Sequence, residues 1–316
     1  MKAIVIHETG GPEVLSYEDV PTPEVKPGWS LVKIKAFGIN HIELLTRQGL
    51  VPDVKLPKIL GLEAVGTIAE STSDDLQEGQ KVVLMKTEMG QSLPGSYAEY
   101  TLLPNDQIYP VDTDFDWSAL AAIPETYYTA YGSIKQLHIK NEDEILIRAG
   151  SSGVGLAAMR LIKAKYPENI VTASVRNLDK KQELLDMGYD LVVEDKDGKL
   201  QTASHFDKAL ELVGPATVKD TLSRMYPEGI VCETGILGGQ ATLEDFEPIH
   251  AIPNSVYLTS FASEMGSRDL IDEMFNYITH YHVDATPGKV FSFDQVREAH
   301  EYMEKNQGIG KVVILN

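Results

Sequence analysis

A chain of 316 residues sets an expectation of about two domains, and 43% hydrophobic with 24% charged residues is the composition of a globular protein. A formal net charge of −19 argues against nucleic acid or an acidic membrane surface as a partner. The single cysteine, Cys232, excludes an intramolecular disulfide framework and a cysteine-rich zinc site.

The N-terminal apolar run, Ala3 to Ile6, is too short for a signal peptide, and no stretch is long and apolar enough to span a bilayer. A reduced, cytoplasmic setting is therefore the expectation. Residues 1 to about 120 read as short strands with frequent turns. Strands are expected at 3–6, 30–35, 64–68 and 81–84, punctuated by Pro21, Pro23, Pro27-Gly28 and Glu78-Gly79. One helix fits His41 to Arg47, and helix-rich sequence at Trp117 to Ala122 marks a boundary.

From about 124 to 265, apolar runs alternate with helical patterns, which predicts a parallel sheet covered on both faces. Strands are expected at 144–148, 170–174, 190–194, 206–211, 229–233 and 256–261. Helices are expected at 178–187, ended by Gly188, and at 216–225. Cys232 lies in the run Ile230-Val231-Cys232 and reads as a buried structural thiol. The tail predicts helices over 267–281 and 293–305, then a final apolar run from Lys311 to Leu315.

The stretch from Glu144 to Lys163 carries the most information. An apolar run, Ile145 to Ile147, leads into a turn containing Gly150, Ser151, Ser152, Gly153, Val154 and Gly155. Val154, Ala157, Ala158, Leu161 and Ile162 then share one helical stripe. Strand, glycine turn and helix form the first half of a nucleotide-binding βαβ unit. The glycines let the backbone approach a pyrophosphate, and the helix start supplies N–H groups and a positive dipole end. The spacing is Gly-x-x-Gly-x-Gly, not the usual Gly-x-Gly-x-x-Gly, so the flanking strand and helix carry the dinucleotide reading against that of an ordinary loop.

In such a unit the adenosine ribose is met about 20 residues after the turn, by a carboxylate for NAD or a basic group for NADP. Ser174 lies 19 residues after Gly155, and Thr172 to Asn177 contains no carboxylate. Ser174 and Asn177 can donate hydrogen bonds, Arg176 can pair with a phosphate, and Lys180 stands on the next turn. This set points to NADPH; the alternative for Arg176 is a solvated loop charge. Two later glycine turns, Glu211 to Pro215 and Thr234 to Gly239, follow strands of the same sheet. Gly235 is the better placed of these to approach the nicotinamide half.

These stretches together resemble the medium-chain dehydrogenase/reductase superfamily, and within it the zinc-independent quinone oxidoreductases. The resemblance is carried by Gly38 to Gly49, Gly61 to Gly66, Glu78 to Val83, Gly95 to Tyr100, Ala149 to Gly155 and Gly310 to Leu315, in that order. It implies an α/β chain with a GroES-like, mostly-β catalytic domain at 1–122, completed by 266–316. A Rossmann domain, a doubly wound parallel sheet binding NADP, would occupy 123–265, with the active site in the cleft between the two. Zinc-dependent relatives carry a cysteine ligand where this chain has Asn40, and the histidine of a Gly-His-Glu motif where it has Leu62. Glu63 remains, and the eight histidines show no metal-ligand spacing, so no metal is expected.

Without a metal Lewis acid, hydride transfer to a quinone or to the β-carbon of an enone fits better than alcohol oxidation. Asn40 is expected to donate to a carbonyl near the nicotinamide. Arg47 either stabilises developing negative charge or pairs with Glu43 at i, i+4. The resemblance places Thr129 near the nicotinamide and groups Lys311 with the cofactor-binding residues. Tyr189 either reaches the adenosine phosphate or packs, and at most one of Tyr127 and Tyr128 lines the cleft. Two departures bear on the substrate: Leu50-Val51 stands where many quinone oxidoreductases carry a tyrosine, and the loop Lys86 to Leu93 matches nothing assignable. A homodimer is implied, with Ser255 to Phe261 able to extend a sheet across a two-fold axis. The rival readings are a nucleotide-binding structural or regulatory protein without turnover and, further off, an alcohol dehydrogenase.

Overall fold

A computed structural model describes residues 1–85, 88–263, 266–306 and 308–316. It divides into two compact units, Met1–Glu125 with Ala285–Asn316, and Thr126–Asp284. Among the described residues no helix is long and apolar enough to cross a membrane.

In chain order the first unit holds β1 (Lys2–Ile6), β2 (Ser16–Asp19), β3 (Trp29–Ile39), α1 (His41–Arg47), β4 (Lys58–Ile59) and β5 (Ala64–Ser71). β6 (Lys81–Leu84), β7 (Tyr100–Pro104), β8 (Tyr109–Pro110) and α2 (Trp117–Ala122) follow, and α3 (Pro124–Gln136) leads into the second unit. There come β9 (Glu144–Ile147), α4 (Gly153–Lys165), β10 (Ile170–Val175), α5 (Lys181–Asp186), β11 (Leu191–Lys196), β12 (Lys199–Leu200) and β13 (Phe206–Glu211). The unit closes with α6 (Val218–Ser223), β14 (Met225–Glu233), α7 (Pro248–Ala251), β15 (Tyr257–Ser260) and α8 (Arg268–His280). The tail, β16 (Lys289–Ser292), α9 (Val296–Glu304) and β17 (Val312–Leu315), belongs to the first unit.

The first unit is built on the long strand β3, which pairs antiparallel with β5, β7 and β17. Its sheet runs β16-β17-β3-β5-β6-β8, and a three-stranded sheet, β2-β1-β4, stands apart from it. Ile34, Phe37 and Ile39 of β3 join Leu60, Tyr97, Phe293 and Ile314 in one apolar core. Phe37 stacks on Tyr97 with ring centroids 4.8 Å apart. The unassigned loop from Lys86 to Leu93 lies partly outside the described residues; from Glu88 it is a turn whose carbonyl accepts the Gln91 and Leu93 amides.

The sheet of the second unit runs β12-β11-β10-β9-β13-β14-β15, parallel except for the short hairpin strand β12. Leaving that hairpin aside, chain direction reverses its sideways progression between β9 and β13, the switch point at which such sheets bind ligands. β9 and β13 sit at the centre, and Ile145, Leu146 and Ile147 are all fully buried, as a strand covered on both faces requires. Gly188 follows α5 at φ +118°, a conformation that side chains resist.

One domain boundary and one short strand differ from the sequence expectation. The chain returns to the first unit at Ala285 rather than 266, so α8 belongs with the second unit. The reason is packing: Ile271, Met274 and Ile278 of α8 are buried, the Tyr277 hydroxyl donates to the Leu161 carbonyl of α4 at 3.0 Å, and Arg160 pairs with Asp284. The hairpin strand β12 was also unforeseen, because two residues carry no readable alternation.

Candidate functional site

β9 ends at Ile147, and Arg148 and Ala149 carry the chain into the glycine turn before α4. Ser152 caps the helix, its hydroxyl accepting the Gly155 amide at 3.1 Å. The Gly150 amide is tied to the Ser174 carbonyl and the Ser152 amide to the Ala149 carbonyl, both at 3.0 Å. Among the described residues the amides of Ser151, Gly153 and Val154 donate to no protein acceptor. They stand half-buried at the positive end of a 13-residue helix, an arrangement suited to a phosphate. A Cβ on Gly150 would lie 2.5 Å from that of Ala173, and one on Gly155 2.8 Å from the Ala149 carbonyl oxygen. Both glycines are therefore required by the close passage of turn and strand as well as by access to a ligand.

Two residues expected to face the cofactor turn inward. Ser174 is buried, and its hydroxyl accepts the Ala149 amide at 3.4 Å. It braces the glycine turn where a donor to a phosphate was expected. Tyr189 is buried too, and its hydroxyl lies 2.8 Å from the Gly150 carbonyl and 2.9 Å from that of Gly155, so it packs behind the turn and does not reach outward. Burial pushes its phenol far up, which keeps it protonated as that donor. Of the remaining adenosine-side candidates, Asn177 caps the turn after β10 by accepting the Asp179 amide, and Arg176 is exposed. Partial burial holds the Lys180 ammonium below its usual range, and the nearby Arg176 charge adds to that.

Past the switch point, the buried Glu211 carboxylate at the end of β13 organises the two later turns. One oxygen accepts the amides of Val213 and Gly214 and the Thr217 hydroxyl; the other accepts the Thr221 hydroxyl. Gly214 has φ +95°, and a Cβ on Gly235 would sit 2.2 Å from the Leu212 carbonyl oxygen, so the turns lie backbone against backbone. Thr129, in α3, is buried, and its carbonyl accepts the Ser133 hydroxyl, which also meets Thr234 at 2.8 Å. Tyr127 and Tyr128 are both buried; the first donates to the Asp284 carbonyl and the second accepts the Ser267 amide. Neither ring lines an open surface. Cys232 is buried, and desolvation pushes its thiol up to about 11, as an unreactive structural cysteine requires.

The first unit places Asn40, half-buried, in a polar cluster with the buried Glu43, Glu63 and Lys311. Asn40 precedes α1, and its amide is committed in every direction: Oδ1 accepts from the Lys311 ammonium, while Nδ2 donates to Glu63 at 2.8 Å and to Glu43 at 3.4 Å. It is not free to donate to a substrate carbonyl. Glu63 also accepts the Glu125 amide at 2.8 Å and forms an ion pair with Lys311. Glu43 accepts the backbone amides of Asn40 and Leu62. Burial, reinforced by the charge on Glu63, pushes the Glu43 carboxyl up to about 7, against the downward pull of Lys311.

Arg47 neither pairs with Glu43 nor faces outward. Its buried guanidinium donates to the Gly10 carbonyl at 2.6 Å, to His300 Nδ1 at 3.3 Å and to Glu304. An i, i+4 contact is only one option for so long a side chain, and α9 offers a carboxylate closer to the helix end. His300 Nε2 in turn meets the Tyr97 hydroxyl at 2.9 Å. Desolvation and the Arg47 charge push the His300 imidazole down to about 3, so it is neutral.

The cluster does not suit a zinc ion. Asn40 and Leu62 supply neither thiolate nor imidazole, and the oxygens of Asn40 and Glu63 that face inward hold a lysine ammonium. Sequence reasoning missed Arg148 entirely, because an arginine directly after a buried strand gives no periodic signal. Its guanidinium is fully buried and donates to Asp195, Asp220, Thr221 and two backbone carbonyls.

Comparison with known proteins agrees with this architecture. Residues 187–314 match the zinc-binding dehydrogenase family, and residues 26–113 the alcohol dehydrogenase GroES-like domain. A quinone oxidoreductase of Pongo abelii is 34% identical over 173 residues, 52% of this chain and 50% of that one. The chain thus spans about half the length of the quinone oxidoreductases of this kind that it matches. The chloroplastic NADPH-dependent alkenal/one oxidoreductase of Arabidopsis thaliana is 25% identical over 326 residues, 99% of this chain and 79% of that one. A Bacillus subtilis protein solved with NAD bound shares the fold, with a TM-score of 0.86 at 21% identity over 100% of this chain and 99% of that one. With the GroES-like first unit, the doubly wound second unit and these relatives in hand, the chain belongs to the medium-chain dehydrogenase/reductase superfamily of oxidoreductases and is quinone oxidoreductase-like.

Proposed function

We propose that the protein is an NADPH-dependent reductase of quinones or α,β-unsaturated carbonyls that transfers hydride without zinc. The observation that carries this reading is the ligand face of the second unit. Three amides in the glycine turn and at the start of α4, without a protein acceptor among the described residues, suit a pyrophosphate, and Arg176 and Lys180, with no carboxylate from Thr172 to Asn177, suit a 2′-phosphate. The relatives named for quinone and alkenal/one reduction support the substrate class.

When bound, the nicotinamide supplies the hydride. The protein's share is to hold and orient. Ser151, Gly153 and Val154 present their amides, Ser174 and Tyr189 brace the turn from behind, and Glu211 sets the later turns that carry Gly214 and Gly235. The metal-free part of the reading rests on the donor chemistry around Asn40 and Glu63. A cytoplasmic homodimer fits it, with β15 as an outer strand of the sheet and the Tyr257 side chain exposed on it.

Fluorescence titration with NADPH and with NADH tests the cofactor, and a panel of quinones and enones then tests turnover. Tight NADPH binding with oxidation of the cofactor by at least one of these substrates is expected, unaffected by a chelator. A second reading, an NADPH-binding protein without turnover, is favoured by one observation: Asn40 and Arg47, the two expected donors to substrate, are held internally. NADPH binding with no turnover across the panel would select it.

A further inference from the structure

The zinc-binding dehydrogenase match implies a divalent metal, yet the first unit brings a lysine to the point where its buried oxygens converge. We infer that Lys311 is a resident cation: its ammonium balances the buried Glu63 and Glu43, fixes the Asn40 amide and keeps a divalent metal out of that position.

The chain builds this arrangement from segments far apart in sequence. Lys311 directly precedes β17, and its carbonyl accepts the amides of Gly288 and Lys289, which pins the backbone on one side. On the other, Val312 pairs with Ile39 and Val313 with Gly38, so the lysine side chain is laid across β3. Gly38 leaves the space for it. A Cβ there would stand 2.3 Å from Lys311 Cε and 2.5 Å from Glu63 Oε1. The glycine is a cradle for the ion pair, and its φ is unremarkable, so conformational freedom is not what requires it.

Charge gives the arrangement its purpose. Glu63 and Glu43 are both buried, Asn40 is bonded to each, and Lys311 is the cation that contacts the cluster among the described residues. A carboxylate out of water and without a partner is strongly unfavourable, so the ammonium is structurally necessary there. It also excludes a metal. A zinc ion needs oxygen lone pairs at about 2.0–2.2 Å. The inward lone pairs of Glu63 and Asn40 already accept N–H bonds, and a divalent ion placed among them would meet the ammonium charge at contact distance. Cation and metal are alternatives at one position. With the ammonium gone, Glu63 Oε1 and Asn40 Oδ1 lose their cation while the Glu43 carboxyl stands beside Asn40, a hard oxygen donor set suited to Mn²⁺.

This inference does not rest on the substrate reading, and its test needs no activity. Wild type, Lys311→Met and Lys311→Met/Glu63→Gln are melted with and without MnCl₂, and bound manganese is counted after dialysis. Wild type is expected to melt at the same temperature in both conditions and to retain no manganese. Lys311→Met should melt lower by roughly 5–15 °C, recover part of that with manganese, and retain about one ion per chain. The double variant should be more stable than Lys311→Met without metal and retain none. Wild type that holds one ion per chain, a folded Lys311→Met indifferent to manganese, or a double variant no better than the single would each overturn the inference. Should Lys311→Met fail to fold, a folded double variant supports it and an unfolded one refutes it.

Discussion

Arg148 in the second unit and Lys311 in the first are both buried against carboxylates, and the two are built differently. Arg148, in the second unit, uses its planar fork fully: Nε and Nη2 meet Asp195, Nη1 meets Asp220 and Thr221, and the Gly198 and Thr217 carbonyls take the rest. It ties β9 to the end of β11 and to α6, behind the turns that Glu211 arranges. Lys311, in the first unit, contacts Glu63 and Asn40 across a glycine. A guanidinium whose N–H donors all meet acceptors is a fastener, whereas an ammonium at the meeting point of an oxygen set takes the place of an ion. Identical net charge thus serves two ends, and the shape of the cation decides which.

The largest effect is expected from Arg148→Met. It strands Asp195, Asp220 and Glu211 without their cation, and loss of one partner from such a buried network costs about 3–5 kcal/mol. Little soluble protein, or a melting temperature lower by ten degrees or more, should result; a wild-type melt would break the comparison at its root.

An exposed arginine extends the contrast. Arg176 has solvent where Arg148 has carboxylates, so its removal should leave the melting temperature unchanged and act only on ligand. Arg176→Ala is expected to weaken NADPH binding by about 10- to 100-fold, the value of a charged hydrogen bond or two, and NADH binding hardly at all. Equal loss for both nucleotides would show that the residue does not read the 2′-phosphate.

Gly38→Ala sharpens the Lys311 half. The methyl group must displace Lys311 or Glu63, and overpacking of this kind costs about 1–3 kcal/mol. Combined with Lys311→Met the same substitution should do much less harm, because the space it invades is then partly vacated. Additive losses in the double variant, read from thermal melts, would detach the glycine from the ion pair.

The smallest effect concerns pH. Glu43 has a folded pKa raised to about 7 from 4.5, so the folded state binds its proton more readily and stability is lost as pH rises through that window. His300 has a folded pKa lowered to about 3 from 6.5, so its contribution is present above 6.5 and is lost as pH falls. Between 4.5 and 6.5 the two slopes oppose, each limited to about 1.4 kcal/mol per pH unit. His300→Gln should therefore leave a protein that gains stability on acidification across this range, and Glu43→Gln one that loses it more steeply than wild type. Melts at several pH values read the sign directly, and identical slopes in all three proteins would remove both groups from the account.

Local pattern was enough to read the elements and the fold class. Apolar runs marked β9, β10 and β13, helical stripes marked α4 and α8, and Gly150, Gly153 and Gly155 between strand and helix marked the nucleotide-binding turn. These features are set by neighbours a few residues apart, where periodicity and backbone preference act. What the side chains face was decided only by the tertiary structure. Arg47 meets Glu304, 257 residues away, instead of Glu43 four residues away, and Glu63 meets Lys311 at a separation of 248. Ser174 and Tyr189 sit at the right spacing for a cofactor yet turn their hydroxyls to the backbone of the turn itself. A polar group leaving water takes whichever partner the packed chain brings closest, and no spacing along the sequence records that choice.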